Sequence, residues 1–287
     1  MRGISMQALK GKVAVVTGGA SGLGRAMAHS FAREGMHVAI ADVDAANLER
    51  VADELRSAGV NAYAARVDVA NGVEVDRFAQ DVRKALGGVH IVCNNAGVSP
   101  LGLTWETTLA DWQWTLGVNL WGVIHGVRAF TPALLAQDEG HIVNTASVAG
   151  LINPPGSAMY NVTKHAVVAL SETLHHDLAE RNSKVGVSVL CPAYVATGIA
   201  DSERNRPADL ANPASEKSSD MLAREAMLRK AVTSGRLSAD DIARAVIDAV
   251  KQDRFYILTH PRIKGAIKAR MEAILEERPP SNPLRDA

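Results

Sequence analysis

Short β-branched or apolar runs alternate along this chain with longer stretches of helical period, and that alternation leaves few architectures open. Strands are expected near Val13–Thr17, His37–Asp42, Asn61–Asp68, Ile91–Asn94, His141–Ala146, Val185–Cys191 and Phe255–Leu258. Helices fall between them, near Gly22–Glu34, Ala45–Ala58, Val73–Leu86, Thr108–Ala136, Ser157–Arg181 and Ser238–Val250. Strands joined through helices run parallel, because the helical crossover carries the chain back to the same edge of the sheet. The expected class is therefore α/β, with a doubly wound parallel sheet and helices on both faces. At 287 residues, 47% of them hydrophobic, one such sheet absorbs the whole chain, so a single domain over 1–287 is expected.

One stretch breaks the rhythm. Ile199 to Asp220 is rich in Asp, Glu, Arg, Asn, Pro and Ser. It reads as an insertion over the sheet's carboxyl edge, a substrate lid near 198–235, the alternative being a passive solvated loop. The last stretch, 278–287, holds three prolines and reads as an extended tail, with packing on another subunit as the alternative.

Charge excludes several partners. Lys plus Arg and Asp plus Glu both total 31, so no electrostatic excess is available to hold a nucleic-acid backbone or an anionic membrane. No window approaches the ~18 consecutive apolar residues of a membrane span, and Met1–Lys12 lacks the apolar stretch of a signal peptide. The cytoplasm is the expected compartment. Cys93 and Cys191 sit in apolar runs and read as core residues rather than a disulfide or a metal site. None of the nine histidines has metal-ligand spacing, so neither a metal nor histidine catalysis is expected.

Directly after the first strand comes Thr17-Gly18-Gly19-Ala20-Ser21-Gly22-Leu23-Gly24, and then a helical run. Glycines there let the backbone turn sharply, approach a pyrophosphate closely and aim helix N-terminal N–H groups at its charge. A tight strand-to-helix turn that uses glycine for steric reasons alone is the alternative. Asp42, at the end of the second strand, stands where a carboxylate accepts hydrogen bonds from the adenosine ribose hydroxyls. A 2′-phosphate would face that carboxylate instead; at ~4 Å and an effective dielectric of about 20, each pair of like unit charges costs about 4 kcal/mol. NAD is thus favoured over NADP, without NADP being excluded, since Arg25 or Arg66 would reverse the preference if either reached that phosphate. Asp42 as the N-cap of the helix near Ala45 is the alternative reading.

At this point the residues resemble a known family. From Lys10 to about Leu258 the chain looks like a short-chain dehydrogenase/reductase. The glycine segment resembles that family's glycine motif, Asp68-Val69 its adenine-contacting pair, and Asn94-Asn95-Ala96-Gly97 its Asn-Asn-Ala-Gly segment. Asn119, Ser147, Tyr160 and Lys164 fall in family order at the catalytic tetrad. The family's Pro-Gly-x-Val-x-Thr appears as Pro192-Ala193-Tyr194-Val195-Ala196-Thr197, and the alanine puts the local loop geometry in question. The resemblance implies a Rossmann-type, seven-stranded parallel sheet and hydride transfer between NAD(P) and an alcohol or ketone. It implies cofactor contacts from Gly18, Ser21, Gly22, Leu23, Gly24, Asp42, Asp68, Val69, Asn95, Ala96, Gly97, Tyr160, Lys164, Pro192, Val195 and Thr197. It also implies a homotetramer or homodimer paired through the two long helices.

The tetrad suits such chemistry. Tyr160 and Lys164 are four apart on a helix and share one face. Reducing a ketone needs a proton for oxygen, and oxidising an alcohol needs one removed. A free phenol, with a pKa of about 10, is poorly matched to that task near neutrality. An ammonium at ~4 Å would lower it by roughly three units. Ser147 can hold the substrate oxygen by a hydrogen bond, or can be a mere strand-end serine. For Asn119 the resemblance implies a water-holding part in a proton relay through Lys164; without it the residue reads as a solvated helix position.

The expected pocket walls, Ser99–Trp105, Ala149–Met159 and Tyr194, contribute Leu101, Trp105, Leu151, Ile152, Pro154, Pro155, Met159 and Tyr194, with Asn153 as one polar group. They suit an apolar or bulky carbonyl compound. Arg204 and Arg206 of the lid are the cations able to swing inward. A catalytically silent dinucleotide-binding regulatory protein and a nucleotide-fold methyltransferase are the rival readings; neither has a use for all four tetrad residues.

Overall fold

The computed structural model describes residues 6–212 and 219–284. Seven strands form one sheet, β1 (Val13–Thr17), β2 (His37–Asp42), β3 (Ala62–Arg66), β4 (Ile91–Asn94), β5 (His141–Thr145), β6 (Gly186–Leu190) and β7 (Tyr256–Ile257). Every pairing is parallel, in the order β3-β2-β1-β4-β5-β6-β7. The order reverses between β1 and β4, and at such a switch point the loops after the strands part to leave a crevice.

Residues of β1 are buried on both faces, as a central parallel strand requires. Ala14 and Val16 pack with helices α1 (Gly22–Arg33), α2 (Ala45–Ser57) and α8 (Ala239–Gln252), while Val13 and Val15 pack with α3 (Gly72–Leu86) and α5 (Gly122–Gln137) on the other side. Local signals fix the ends. Asn71 caps α3 through its side chain and Gly87 stops it with φ of 81°, a left-handed conformation that favours glycine.

Three departures from the sequence reading have physical causes. The single helix expected over Thr108–Ala136 is α4 (Leu109–Leu116), a π-helical turn at Gly117–Trp121, and then α5. The turn's Asn119 is wholly buried rather than solvated, and its side chain binds the backbone of Val98. The stretch expected as a lid forms two 3₁₀ segments, Gly198–Asn205 and Ala208–Leu210, followed by α7 (Ser219–Thr233). Neither α7 nor α9 (Ile263–Leu275) carries a strong apolar stripe, and α9 buries only Ala273, so periodicity did not reveal them. The parts of the lid at 213–218 and of the tail at 285–287 lie outside the described residues. No helix among those described is long and apolar enough to cross a membrane.

Candidate active site

A cleft of about 1840 Å³ opens at the carboxyl ends of the strands. One half is floored by the glycine turn. Gly18 and Gly22 have φ of 66° and 52°, conformations that side chains resist. Gly24 is a packing glycine rather than a lining one, since a Cβ there would stand 2.0 Å from the Gly18 carbonyl oxygen. Ser21, at the head of α1, makes no side-chain cap, so the first N–H groups of that helix are left for an anion in the cleft.

Asp42 does not cap α2; Asp44 does, accepting from Asn47 N at 3.2 Å. The Asp42 carboxylate accepts instead from Ala20 N at 3.0 Å and Asp44 N at 3.1 Å, which fixes it at the cleft wall. Arg25 is committed elsewhere, its Nη2 2.8 Å from Glu54. Arg66 sits beside Asp42 in the sheet register and lines the cleft without an ion pair among the described residues.

The next wall comes from β4. Thr17 Oγ1 accepts from Asn95 N at 2.9 Å and Ala96 N at 3.1 Å, while Asn95 Nδ2 donates to Thr17 O at 2.9 Å. Thr145 Oγ1 adds a bond of 3.4 Å to Asn95 Oδ1. Asn95 therefore knots the ends of β1, β4 and β5, a bracing role that spacing alone did not reveal. Ala96 and Gly97 line the cleft, as do Asp68 and Val69, the latter packed on Gly122 of α5.

Ser147, Tyr160 and Lys164 converge on the opposite wall. Ser147 follows β5, its hydroxyl donating to Pro192 O at 3.3 Å, and it lies close enough to Tyr160 to favour the ionised phenol. Tyr160 and Lys164 rise from α6 (Ala158–Glu180). Lys164 Nζ donates to Thr145 O at 2.8 Å and lies 5.5 Å from the centre of the Tyr160 ring. Asn119 does not reach the cleft; its Oδ1 accepts from Val98 N at 2.8 Å and its Nδ2 donates to Val98 O at 2.9 Å. A Cβ built on Gly97 would lie 3.4 Å from Asn119 Oδ1 and 3.7 Å from Lys164 Nζ, so the three residues adjoin.

The electrostatics correct one expectation. Burial raises the Tyr160 phenol above its ordinary value, opposed by the Ser147 hydrogen bond. Burial likewise pushes the Lys164 ammonium down to about 8. The expected lowering of Tyr160 is absent because the amine points at a carbonyl beside the ring rather than at the hydroxyl, and its own charge is disfavoured in the same dry wall.

The loop after β6 closes the site. Pro192, Val195 and Thr197 line it, and Thr197 faces the glycine turn, its Cβ 3.3 Å from a Cβ built on Gly22. Ala193 is not among the residues with positive φ, so its replacement of the family's glycine leaves the loop unstrained. On the substrate side Leu101, Pro154, Pro155 and Tyr194 line the cleft as expected. Ile152 and Met159 are instead core residues, Trp105 is 79% exposed outside the cleft, and Asn153 borders a separate small pocket. Leu151 packs with the core as well. In their place stand Leu109, Trp112, Met227, Leu228 and, from the tail, Leu284.

A parallel sheet with this switch point, an uncapped glycine turn and a buried Ser-Tyr-Lys wall defines a dinucleotide-dependent oxidoreductase of Rossmann type. The family model described as short chain dehydrogenase matches residues 12–208. A solved short chain dehydrogenase/reductase from Burkholderia phymatum in complex with NAD is 49% identical, with a TM-score of 0.94 over 96% of this chain and 98% of that one. The 1-deoxy-11-beta-hydroxypentalenate dehydrogenase of Streptomyces exfoliatus is 36% identical over 88% of this chain and 84% of its own. A CLA biosynthesis dehydrogenase/reductase of Lactiplantibacillus plantarum is 30% identical over 98% of this chain and 99% of its own. The chain belongs to the short-chain dehydrogenase/reductase family.

Proposed function

We propose that this protein, as one catalytic domain over 1–287, transfers a hydride between NAD and a secondary alcohol or ketone of apolar, bulky character. The observation that carries the reading is the convergence of Ser147, Tyr160 and Lys164 on one wall, across the cleft from the glycine turn. The glycine turn and α1 receive the pyrophosphate, Asp42 the adenosine ribose, Asp68 and Val69 the adenine, and Thr197 the nicotinamide amide. Ala96, Gly97, Pro192 and Val195 shape the walls between them. When bound, the nicotinamide ring supplies or accepts the hydride.

The chain's residues handle the proton. Ser147 donates to the substrate oxygen and keeps it within reach of Tyr160. Tyr160 gives its hydroxyl proton to the oxygen of a reduced ketone, or takes one from an alcohol. Lys164 would hydrogen-bond the nicotinamide ribose of a bound cofactor, and the proton that Tyr160 gives up in reduction would be replaced from solvent. Asn119 is a positioning residue: doubly bonded to Val98, it holds the π-helical turn against Gly97 and Lys164.

NAD is favoured because the Asp42 carboxylate, fixed at the cleft wall, would repel a 2′-phosphate and Arg25 is held by Glu54, while Arg66 beside Asp42 is the cation that keeps NADP open. The bulky substrate class rests on the apolar lining from Leu101, Trp112, Tyr194, Met227 and Leu228, and on relatives whose names refer to hydroxypentalenate and CLA. Residues 198–235 act as the lid, and Trp121 of the π-helical turn and Val162 of α6, both exposed, suit pairing into a homodimer or homotetramer. Turnover of NADH with a panel of bulky ketones tests the proposal. Binding of NADH with no turnover of any of them would favour a silent regulator instead.

A further inference from the structure

Five cationic side chains line the cleft, Arg66, Lys164, Arg204, Arg206 and Arg224, and they are not equivalent. Arg206 is bound to Asp111 and Glu203, and Lys164 is turned to the Thr145 carbonyl. Arg66 stands at the adenosine end beside Asp42, and Arg224 packs against Gly156 on the substrate side. Arg204 alone packs on the Thr197–Gly198 loop that faces the glycine turn. Its Nη2 is 3.2 Å from a Cβ built on Gly198, which follows the Thr197 that faces Gly22.

Arg204 is also oriented and unneutralised. Its Nη1 donates to Gly198 O at 2.9 Å and to Asp201 O at 2.8 Å, which fixes the guanidinium while Nε and Nη2 have no acceptor among the described residues. The two acids nearest in sequence are taken, Asp201 by Arg229 and Glu203 by Arg206. Among the described residues Arg204 has no ion-pair partner, although it is exposed to the cleft. The Asp44 carboxyl feels the Arg204 charge without forming an ion pair with it and is hydrogen-bonded by Asn47.

We propose that Arg204 binds the pyrophosphate of the dinucleotide from the lid side, opposite the head of α1. The inference rests on the dinucleotide reading above. A helix N-terminus presents roughly half a positive charge, against about two negative charges on a pyrophosphate diester. A full cation from the other wall offsets most of the charge that remains, and a guanidinium matches two phosphate oxygens with two parallel donors. Because Arg204 belongs to residues 198–205, the same contact ties the first lid segment to the loaded cofactor.

The test compares affinities of cofactor fragments, which need no turnover. Dissociation constants for ADP-ribose and for adenosine are measured by calorimetry on the whole chain and on Arg204→Gln and Arg204→Lys. Arg204→Gln is expected to weaken ADP-ribose about tenfold and leave adenosine unchanged, with Arg204→Lys between. Raised salt should weaken ADP-ribose more for the parent than for Arg204→Gln. Equal ADP-ribose affinity in parent and Arg204→Gln overturns the inference alone. So does a parallel loss for adenosine, which would mark a general disturbance of the loop. A parent chain that binds neither ADP-ribose nor NADH overturns the inference together with the dinucleotide reading.

Discussion

Arg206 meets Asp111 at 2.6 Å with both side chains almost wholly buried, and its guanidinium lies 4.3 Å from the centre of the Trp114 ring. Asn212 donates to the same carboxylate oxygen at 2.8 Å. The link between the two 3₁₀ segments is thereby joined to α4, and Arg206 is no longer available to anchor a substrate.

Removing one partner strands the other charge in a dry site. Arg206→Ala should destabilise the protein by about 3 kcal/mol and expose the segment near 198–212 to proteolysis. Burial pushes the Asp111 carboxyl up, but hydrogen bonds from Thr108, Asn212 and Arg206 more than offset it, so the net shift is downward. A depressed carboxyl contributes stability above its unfolded pKa and loses it as pH falls through the folded one. Thermal melts of Asp111→Asn against the parent should therefore converge in acid, and a constant gap down to the lowest pH would contradict the pairing.

Tyr160→Phe should lower turnover by at least a hundredfold while leaving NADH affinity within about twofold, because it removes the proton and little else. Near-normal turnover in that variant would remove Tyr160 from the mechanism.

Asp42→Ala should raise the efficiency with NADP relative to NAD by an order of magnitude or more, since it lifts about 4 kcal/mol of like-charge repulsion in a screened setting. The accompanying loss of the bonds to Ala20 N and Asp44 N should also loosen the glycine turn. An unchanged cofactor ratio would show that Asp42 serves only the turn.

Lys164 titrates near 8 in the folded chain against an ordinary 10.5. Between those values the unfolded chain binds more protons than the folded one, so this residue's contribution to stability rises with pH across that window. Below about pH 8 its buried charge costs on the order of 3 kcal/mol, and above the unfolded value the cost is gone. The difference in unfolding free energy between the parent and Lys164→Met should drift in the parent's favour from pH 8 to 10.5. A flat difference would mean that the ammonium is solvated.

Much of this was legible because it depends on pattern. The strand positions and the glycine turn follow from period and spacing, the ordered tetrad from the family resemblance, and the sheet bears out that alternation. What escaped depends on partners distant in sequence. Asn119 and Val98 are 21 residues apart, and no periodicity announces that their bond breaks a helix into two. The pocket lining was half misread because Ile152 and Met159 look like pocket residues in sequence yet turn into the core. The direction of the Tyr160 shift was missed because spacing gives a distance along a helix, whereas the amine's aim is decided by the Thr145 carbonyl on β5.

The Thr17–Asn95–Thr145 knot is closed by the chain's own side chains, with no guest needed to complete it. Rigidity in this part of the crevice is thus acquired at folding, and an incoming molecule loses little conformational freedom of its host there. Mutations at Thr17 should accordingly slow association and hasten release together, a kinetic signature distinct from losing a single contact.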